Sequence, residues 1–270
     1  MKKLLIFLIL GFPYVLFSQV YYNFQKSKPI NYYFQLDGKG SLIYPGVQEE
    51  KFNVSVKGNL KIEMVEFEND VYTLKITPLK TIVKLNEQIV EDMTKSDIES
   101  SSIISTYEVK MKKNGQIVEM NEIKKGILTL SQILFLLPMF PEGLSPDKKW
   151  KQKISAFELP GIPMCGLEFE YSYEKKDDLS EILLFANQSI KETKKDRDIN
   201  ITFTGKNNSK GKFSFNEKDG EITDFNGNFS LDLNIKYEIP SPINKKIEKI
   251  STKINLNLNA QFSKFPSQSN

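Results

Sequence analysis

The sequence predicts a mainly β, α+β protein in which a strongly curved antiparallel sheet, or half-barrel, encloses one buried apolar helix. Three observations carry that prediction. Most of the chain alternates apolar and polar residues in runs separated by turn residues. One stretch between two such β-rich parts places apolar residues at helical spacing. A single cysteine, Cys165, excludes an intramolecular disulfide, so stability must come from a hydrophobic core.

The chain opens MKKLLIFLILGFPYVLFSQ, where Lys2 and Lys3 precede an apolar run from Leu4 to Phe17 and Ser18 supplies a small residue. Residues 1–18 are expected to be a secretory signal peptide cleaved near Ser18. A membrane span needs about 20 apolar residues, and this run is shorter and is interrupted by Gly11 and Pro13. No cysteine stands at the cleavage point to carry a lipid. Residues 19–270 are therefore expected to form a single soluble β-rich domain, periplasmic or extracellular, without a transmembrane span.

From Asn31 to Leu85 the segments INYYFQLDGKGSLIY, KFNVSVKGNLKIEMVEF and VYTLKITPLKTIVKL read as antiparallel strands. Phe52, Val54 and Val56 share one side, Leu60, Ile62 and Met64 follow the Lys57-Gly58 step, and Glu68-Asn69-Asp70 makes a turn. Residues 86–100 are acidic and polar and lose the pattern, as a loop or short helix would. A hairpin follows in YEVKMKKNGQIVEM, with Asn114-Gly115 placed for the positive φ of a type I′ turn. GKFSFNEKDGEITDF resembles it, with Phe213, Phe215, Gly220, Ile222 and Phe225 standing for Val109, Met111, Gly115, Ile117 and Met120. Two related halves, about 25–120 and 150–265, are one reading of that match, and a generic hairpin is the other.

The halves are joined by a helix and proline-rich junction at 122–149. In NEIKKGILTLSQILFLL, Ile123, Ile127, Leu130, Leu134 and Leu137 recur at helical spacing, and Leu128, Ile133, Phe135 and Leu136 add apolar surface. Pro138 ends that helix, because proline cannot continue the hydrogen-bond ladder. Trp150 opens the next strand, either as a packing anchor or at a cavity mouth. Further strands follow in LEFEYSYE, ILLFANQSIKET, INITFTG and GNFSLDLNIKYEI. In KISTKINLNLNAQF, Ile254, Leu256 and Leu258 face one way and Asn255, Asn257 and Asn259 the other, so one side meets the core and the other water or a polar lumen.

Charge and chemistry exclude several classes. Losing Lys2 and Lys3 lowers the basic count from 37 to 35, against 34 acidic residues. That balance removes the electrostatic basis of nucleic-acid binding. Arg197 is the only arginine, so bidentate anion recognition is disfavoured. The chain has no histidine, which rules out Ser-His-Asp and Cys-His catalysis and the usual zinc sites. Cys165 sits among apolar and small residues and reads as a buried hydrophobe. Carboxylate pairs such as Glu168 with Glu170, or Asp177 with Asp178, could serve a histidine-free hydrolase, but a solvated strand face explains the first pair more simply. NEKDGE, 216–221, lacks the order of an EF-hand calcium loop. Sequons at Asn187, Asn200 and Asn228 matter only in a eukaryotic source, whereas the abundance of Lys, Asn and Ile points to a bacterial envelope protein. No cofactor or metal is expected.

LLPMFPEGLSPDKKW, 136–150, resembles the junction L-P-x-L-P, short spacer, G-x-x-W of exported bacterial β-proteins, with the glycine replaced around Asp147-Lys148-Lys149. INYYFQLDGKGSLIY and LKIEMVEFENDVYTLKI resemble the opening strands of exported half-barrel domains and, more distantly, the amino-terminal sheet of vitellogenin-type lipid carriers. The resemblance implies a curved sheet around a helix over residues 25–265, as in LolA-like and LppX-like lipoprotein and lipid carriers, and transfers no functional residue. Two functions follow as expectations. One is a non-enzymatic exported binding protein for an apolar ligand, a lipid or acyl chain, using Ile133, Phe135, Leu136, Met139, Phe140 and Trp150. The alternative is a structural or protein-interaction module of the envelope without a small-molecule ligand, contacting a protein or polysaccharide through sheet edges or the asparagine face.

Overall fold

The structure, a computed structural model, describes residues 20–26, 28–44, 46, 48–92 (backbone only at 90–92), 105–124, 137–142, 144, 147–154, 165–176, 179–196, 199–240 and 247–265. Among them twelve strands form one open antiparallel sheet. They are β1 (Ile30–Ile43), β2 (Glu50–Glu68), β3 (Val71–Leu85), β4 (Gln88–Asp92), β5 (Thr106–Lys112), β6 (Ile117–Lys124), β7 (Lys149–Ile154), β8 (Leu167–Glu174), β9 (Ser180–Asp196), β10 (Ile199–Asn216), β11 (Glu221–Pro240) and β12 (Ile247–Lys264). Their order is β6-β5-β3-β2-β1-β12-β11-β10-β9-β8-β7, with β4 beside β3. The first and last strands therefore meet in the middle, pairing Phe34 with Phe262 and Leu36 with Ala260. The edge strands β6 and β7 are consecutive in sequence, so the chain between them leaves the sheet at one edge and re-enters it at the other.

Alternation accounts for most of these strands. On β8, Leu167, Phe169, Tyr171 and Tyr173 are buried while the residues between them are half exposed. On β3, the buried phase Tyr72, Leu74, Ile76 passes to Thr81 and Val83 across an irregularity at Lys80, whose φ is 44°. That bulge returns the strand's apolar side to the core after a one-residue slip.

The turns differ from expectation in instructive ways. Of the Asn114-Gly115 pair only Gly115 has positive φ, at 90°, and its amide bonds to Lys112 O at 2.9 Å. This is a type I turn closed by a glycine bulge, not the expected type I′ turn. Consecutive positive φ values occur instead at Asn69-Asp70 (50° and 62°) and Asn86-Glu87 (47° and 68°). The second of these corrects the reading of 86–100, because Asn86-Glu87 turns the chain straight into β4, which pairs with β3. Two bonds tie this turn to β2: Asn86 N donates to Asn53 O, and Asn53 N donates to Asn86 Oδ1, both at 2.8 Å.

The expected helix starts too early. Ile123 and Lys124 belong to β6, where Thr106 pairs with Lys124 and Tyr107 with Glu122. Ile123 is the bulged residue between those pairs and is 56% exposed. No helix occurs among the described residues, and residues 125–136, where the rest of the expected helix falls, lie outside them.

The two matched hairpins share more than residue type. Val109 pairs with Met120 and Met111 with Ile117, as Phe213 pairs with Phe225 and Phe215 with Ile222. Each skips one residue of the return strand at the same place, Val118 in one and Thr223 in the other.

Their tips also meet. Tyr22 N donates to Lys113 O at 2.7 Å in the β5–β6 turn, and Asn23 N donates to Gly220 O at 2.9 Å in the β10–β11 turn. Five inter-strand steps separate β5 from β11, about 24 Å in a flat sheet. Two successive residues, whose Cα atoms lie ~3.8 Å apart, reach both tips only because the sheet curls strongly. The core lies inside that curl, where Tyr72, Val109 and Met111 of one wing join a continuous cluster with Phe169, Tyr171 and Phe215 of the other.

Tyr22 is the centre of this closure. It is 2% exposed, its hydroxyl donates to Pro138 O at 3.2 Å, and its carbonyl accepts from the Tyr72 hydroxyl at 3.1 Å. Its ring packs on Phe140 and Phe215 with centroids at 5.3 and 5.7 Å. A Cβ on Gly115 would sit 2.6 Å from both Pro138 O and the Tyr22 ring, so the tip must be glycine for space as well as for φ. Replacing Tyr22 by Phe, which removes one buried hydrogen bond, is expected to cost about 1 kcal/mol. Replacing it by Ala is expected to cost about 3–5 kcal/mol. Urea unfolding reads both, and midpoints equal to the parent's would contradict the closure.

Candidate functional site

Under the strap formed by residues 20–24, the concave face retains a cavity of about 60 Å³. Its floor is Tyr32 and Phe34 of β1, Leu60 and Ile62 of β2, and Phe262 of β12, while Tyr22, Phe24 and Leu137 roof it. These positions are inward because each continues the buried phase of its strand. Glu221 and Ile222, at the start of β11, close one end.

One carboxylate, that of Glu221, breaks the apolar lining. Glu221, 5% exposed, is ion-paired with Lys264, whose side chain is 20% exposed. Lys264 shares the inward phase of Ile254, Leu256, Leu258 and Phe262 on β12, so its ammonium is largely withdrawn from water and gains from a partner. Beside them the Tyr32 hydroxyl donates to Ile222 O at 2.8 Å. Burial pushes the Tyr32 phenol far up, and the negative charge of Glu221 pushes it further. It stays neutral throughout the physiological range.

The residues singled out from sequence are placed as follows. Ile133, Phe135 and Leu136 lie outside the described residues. Met139 is half-buried and its amide donates to Gln152 Oε1 at 2.9 Å. Phe140, 1% exposed, stacks among Tyr22, Phe215 and Trp150, and its amide donates to Asn114 O at 2.7 Å. Trp150, on the edge strand β7, lies nearly parallel to Tyr171 with centroids at 5.4 Å. Leu137, which lies between Leu136 and Met139 but outside the expected set, is the residue of this stretch that lines the cavity among those described.

Of the other candidate chemistries, Asp177 and Asp178 lie outside the described residues, and the groups that are described have protein partners or are buried. Glu168 and Glu170 face outward and pair across the β7–β8 ladder with Lys151 at 2.7 Å and Lys149 at 3.6 Å. Burial pushes the thiol of fully buried Cys165 up, which disfavours the reactive thiolate. In the 216–221 turn, Glu217 accepts from the Ser180 and Tyr173 hydroxyls and pairs with Lys175 at 3.5 Å. Burial raises its carboxyl, but those bonds outweigh it and hold the group below the usual carboxylate range. Burial, then the bond to Glu217, pushes Tyr173 up to about 12. The carboxylates of this turn are thus committed to protein partners.

On the opposite face of the sheet lies a broad groove of about 470 Å³. Asn187 of β9, Asn208 and Lys210 of β10, Asn228 and Ser230 of β11, and Asn257 and Asn259 of β12 line it, with Phe185 at one end. Register places them in two rows, Asn187-Asn208-Ser230-Asn257 and Phe185-Lys210-Asn228-Asn259. The asparagine face read from the last strand therefore extends over three further strands.

No protein-family model matches the chain, and no curated protein matches it. Among solved structures, the chain is similar to lipovitellin, described for its lipid-protein interactions, with a TM-score of 0.41 and 12% identity. The likeness covers 92% of this chain and 26% of that one. At that level it transfers no residue role, ligand or activity.

The buried ion pair yields a direct test. Glu221→Ala alone leaves the Lys264 ammonium against apolar walls and is expected to cost up to about 3 kcal/mol. Replacing both together, Glu221→Leu with Lys264→Met, is expected to restore most of that stability. Urea midpoints of the three proteins check this, and a double replacement no more stable than Glu221→Ala would contradict it.

Proposed function

We propose that this protein is a non-enzymatic, exported carrier in the bacterial envelope that holds an apolar ligand, a lipid or acyl chain, inside the curl of its sheet. The observation that carries the reading is an apolar cavity bounded by both halves of the sheet, whose one charged lining residue, Glu221, is neutralised by Lys264. A hydrocarbon terminus fits between Tyr32, Ile62 and Phe262. The apolar run from Leu4 to Phe17 behind Lys2 and Lys3 supports export in this reading, and the absence of histidine agrees with a binding role.

At about 60 Å³ the cavity falls well short of the roughly 300–1,000 Å³ of sites for drug-sized ligands. Uptake of a whole chain in this reading requires the half-buried roof residues Phe24 and Leu137 to move aside. Such opening is the behaviour of a carrier that must also release its load.

Native mass spectrometry of the protein from residue 19, mixed with palmitate, tests the reading. One retained palmitate is expected in the parent and in Phe24→Ala. Ile62→Phe, which fills the cavity, is expected to lose it while keeping a cooperative urea transition. Absence of the adduct from the parent, or an undiminished adduct in Ile62→Phe, would overturn the proposal.

A further inference from the structure

We propose that the amide-lined groove on the outer face of the sheet binds a neutral glycan chain, independently of the apolar cavity. Five asparagines line it, and none of their side chains makes a hydrogen bond to another described residue. Neighbouring polar groups on the same face do find partners. Asn255 donates to Ser41 Oγ at 3.5 Å, and Asp37 accepts from Gln35 at 2.6 Å and from Ser55 at 2.7 Å. The groove thus concentrates amides whose hydrogen-bonding capacity is left to solvent or a ligand.

The chemistry selects the occupant. Each amide presents both donors and an acceptor, which matches hydroxyl groups that also do both. The rows advance one strand at a time, about 4.8 Å per step, a spacing close to the length of a pyranose ring. Phe185, 54% exposed at the end of one row, offers a ring whose negative face attracts the positively polarised C–H groups of a sugar. Lys210 is the only charged lining residue, and the ion pairs among described residues all lie outside the groove. One cation is too little for a nucleic acid or a polyanionic polymer, which requires several. One exposed aromatic is also too little for a protein interface core.

Native gel electrophoresis through soluble neutral polysaccharides, a β-1,3-glucan, a β-1,4-glucan and a galactomannan, tests the inference. Retardation by at least one is expected, and Asn208→Ala with Asn257→Ala is expected to weaken binding roughly tenfold, the loss of about two hydrogen bonds. Phe185→Ala should weaken it as well. Asn257→Asp keeps the shape of the side chain but removes its donors, and should also reduce retardation. These side chains face solvent, so an unchanged urea midpoint confirms folding in each variant. No retardation by any of the three polymers, or retardation unaltered in the asparagine variants, would overturn the inference, as would equal retardation by a polyanion such as alginate. Loss of palmitate binding in Ile62→Phe leaves this result untouched, which separates the two proposals.

Discussion

Two backbone hydrogen bonds, from Tyr22 to Lys113 and from Asn23 to Gly220, set the shape on which the rest of the molecule depends. An open antiparallel sheet of this width has no intrinsic reason to bring its wings together, because twist alone accumulates into a propeller rather than a closed curl. The strap joins two hairpin tips that lie five strands apart, and the segment at 137–140 fastens the same end through Tyr22, Asn114 and Gln152. The aromatic rings then fill the space between the wings. Phe140 touches Tyr22, Trp150 and Phe215, drawing the strap, the edge strand β7 and the β10–β11 hairpin into one packed unit.

This closure gives the sheet two faces with different chemistry. The concave face carries the apolar cluster and its small cavity, with the Glu221–Lys264 pair as the charge that must be neutralised in place. The outer face carries a groove of five asparagines whose side chains have no hydrogen-bond partner among the described residues. Both proposals follow from this division: an apolar chain on one side and a hydroxyl-rich polymer on the other, with no shared residue.

Much of the sheet was legible because period-2 alternation directly reports burial on one face. The inward set Ile254 and Leu256 against the outward Asn257 and Asn259 is an example, and so is the pairing shared by the two hairpins. The closure was not legible. Residues 20–24 carry no periodic pattern, and their partners lie on distant turns that only the folded sheet assembles. Turns without glycine, such as Asn86-Glu87, concealed β4, and bulges at Lys80 and Ile123 shifted phases that a strict period cannot follow. The cavity lining was hidden for a related reason: Tyr32, Ile62 and Phe262 look like ordinary core residues, and curvature alone decides which of them border a void. One signal was available, since Lys264 continues an otherwise apolar phase and so announces a buried partner.

Hydrogen exchange of the protein from residue 19, followed residue by residue with and without palmitate, tests the closure most directly. If the strap holds the wings around an apolar site, the amides of Tyr22, Asn23 and Phe140 exchange nearly as slowly as those of the central strands, and more slowly still with the fatty acid bound. Exchange of these three amides at the rate of an unstructured chain, while the sheet stays protected and palmitate changes nothing, would contradict it.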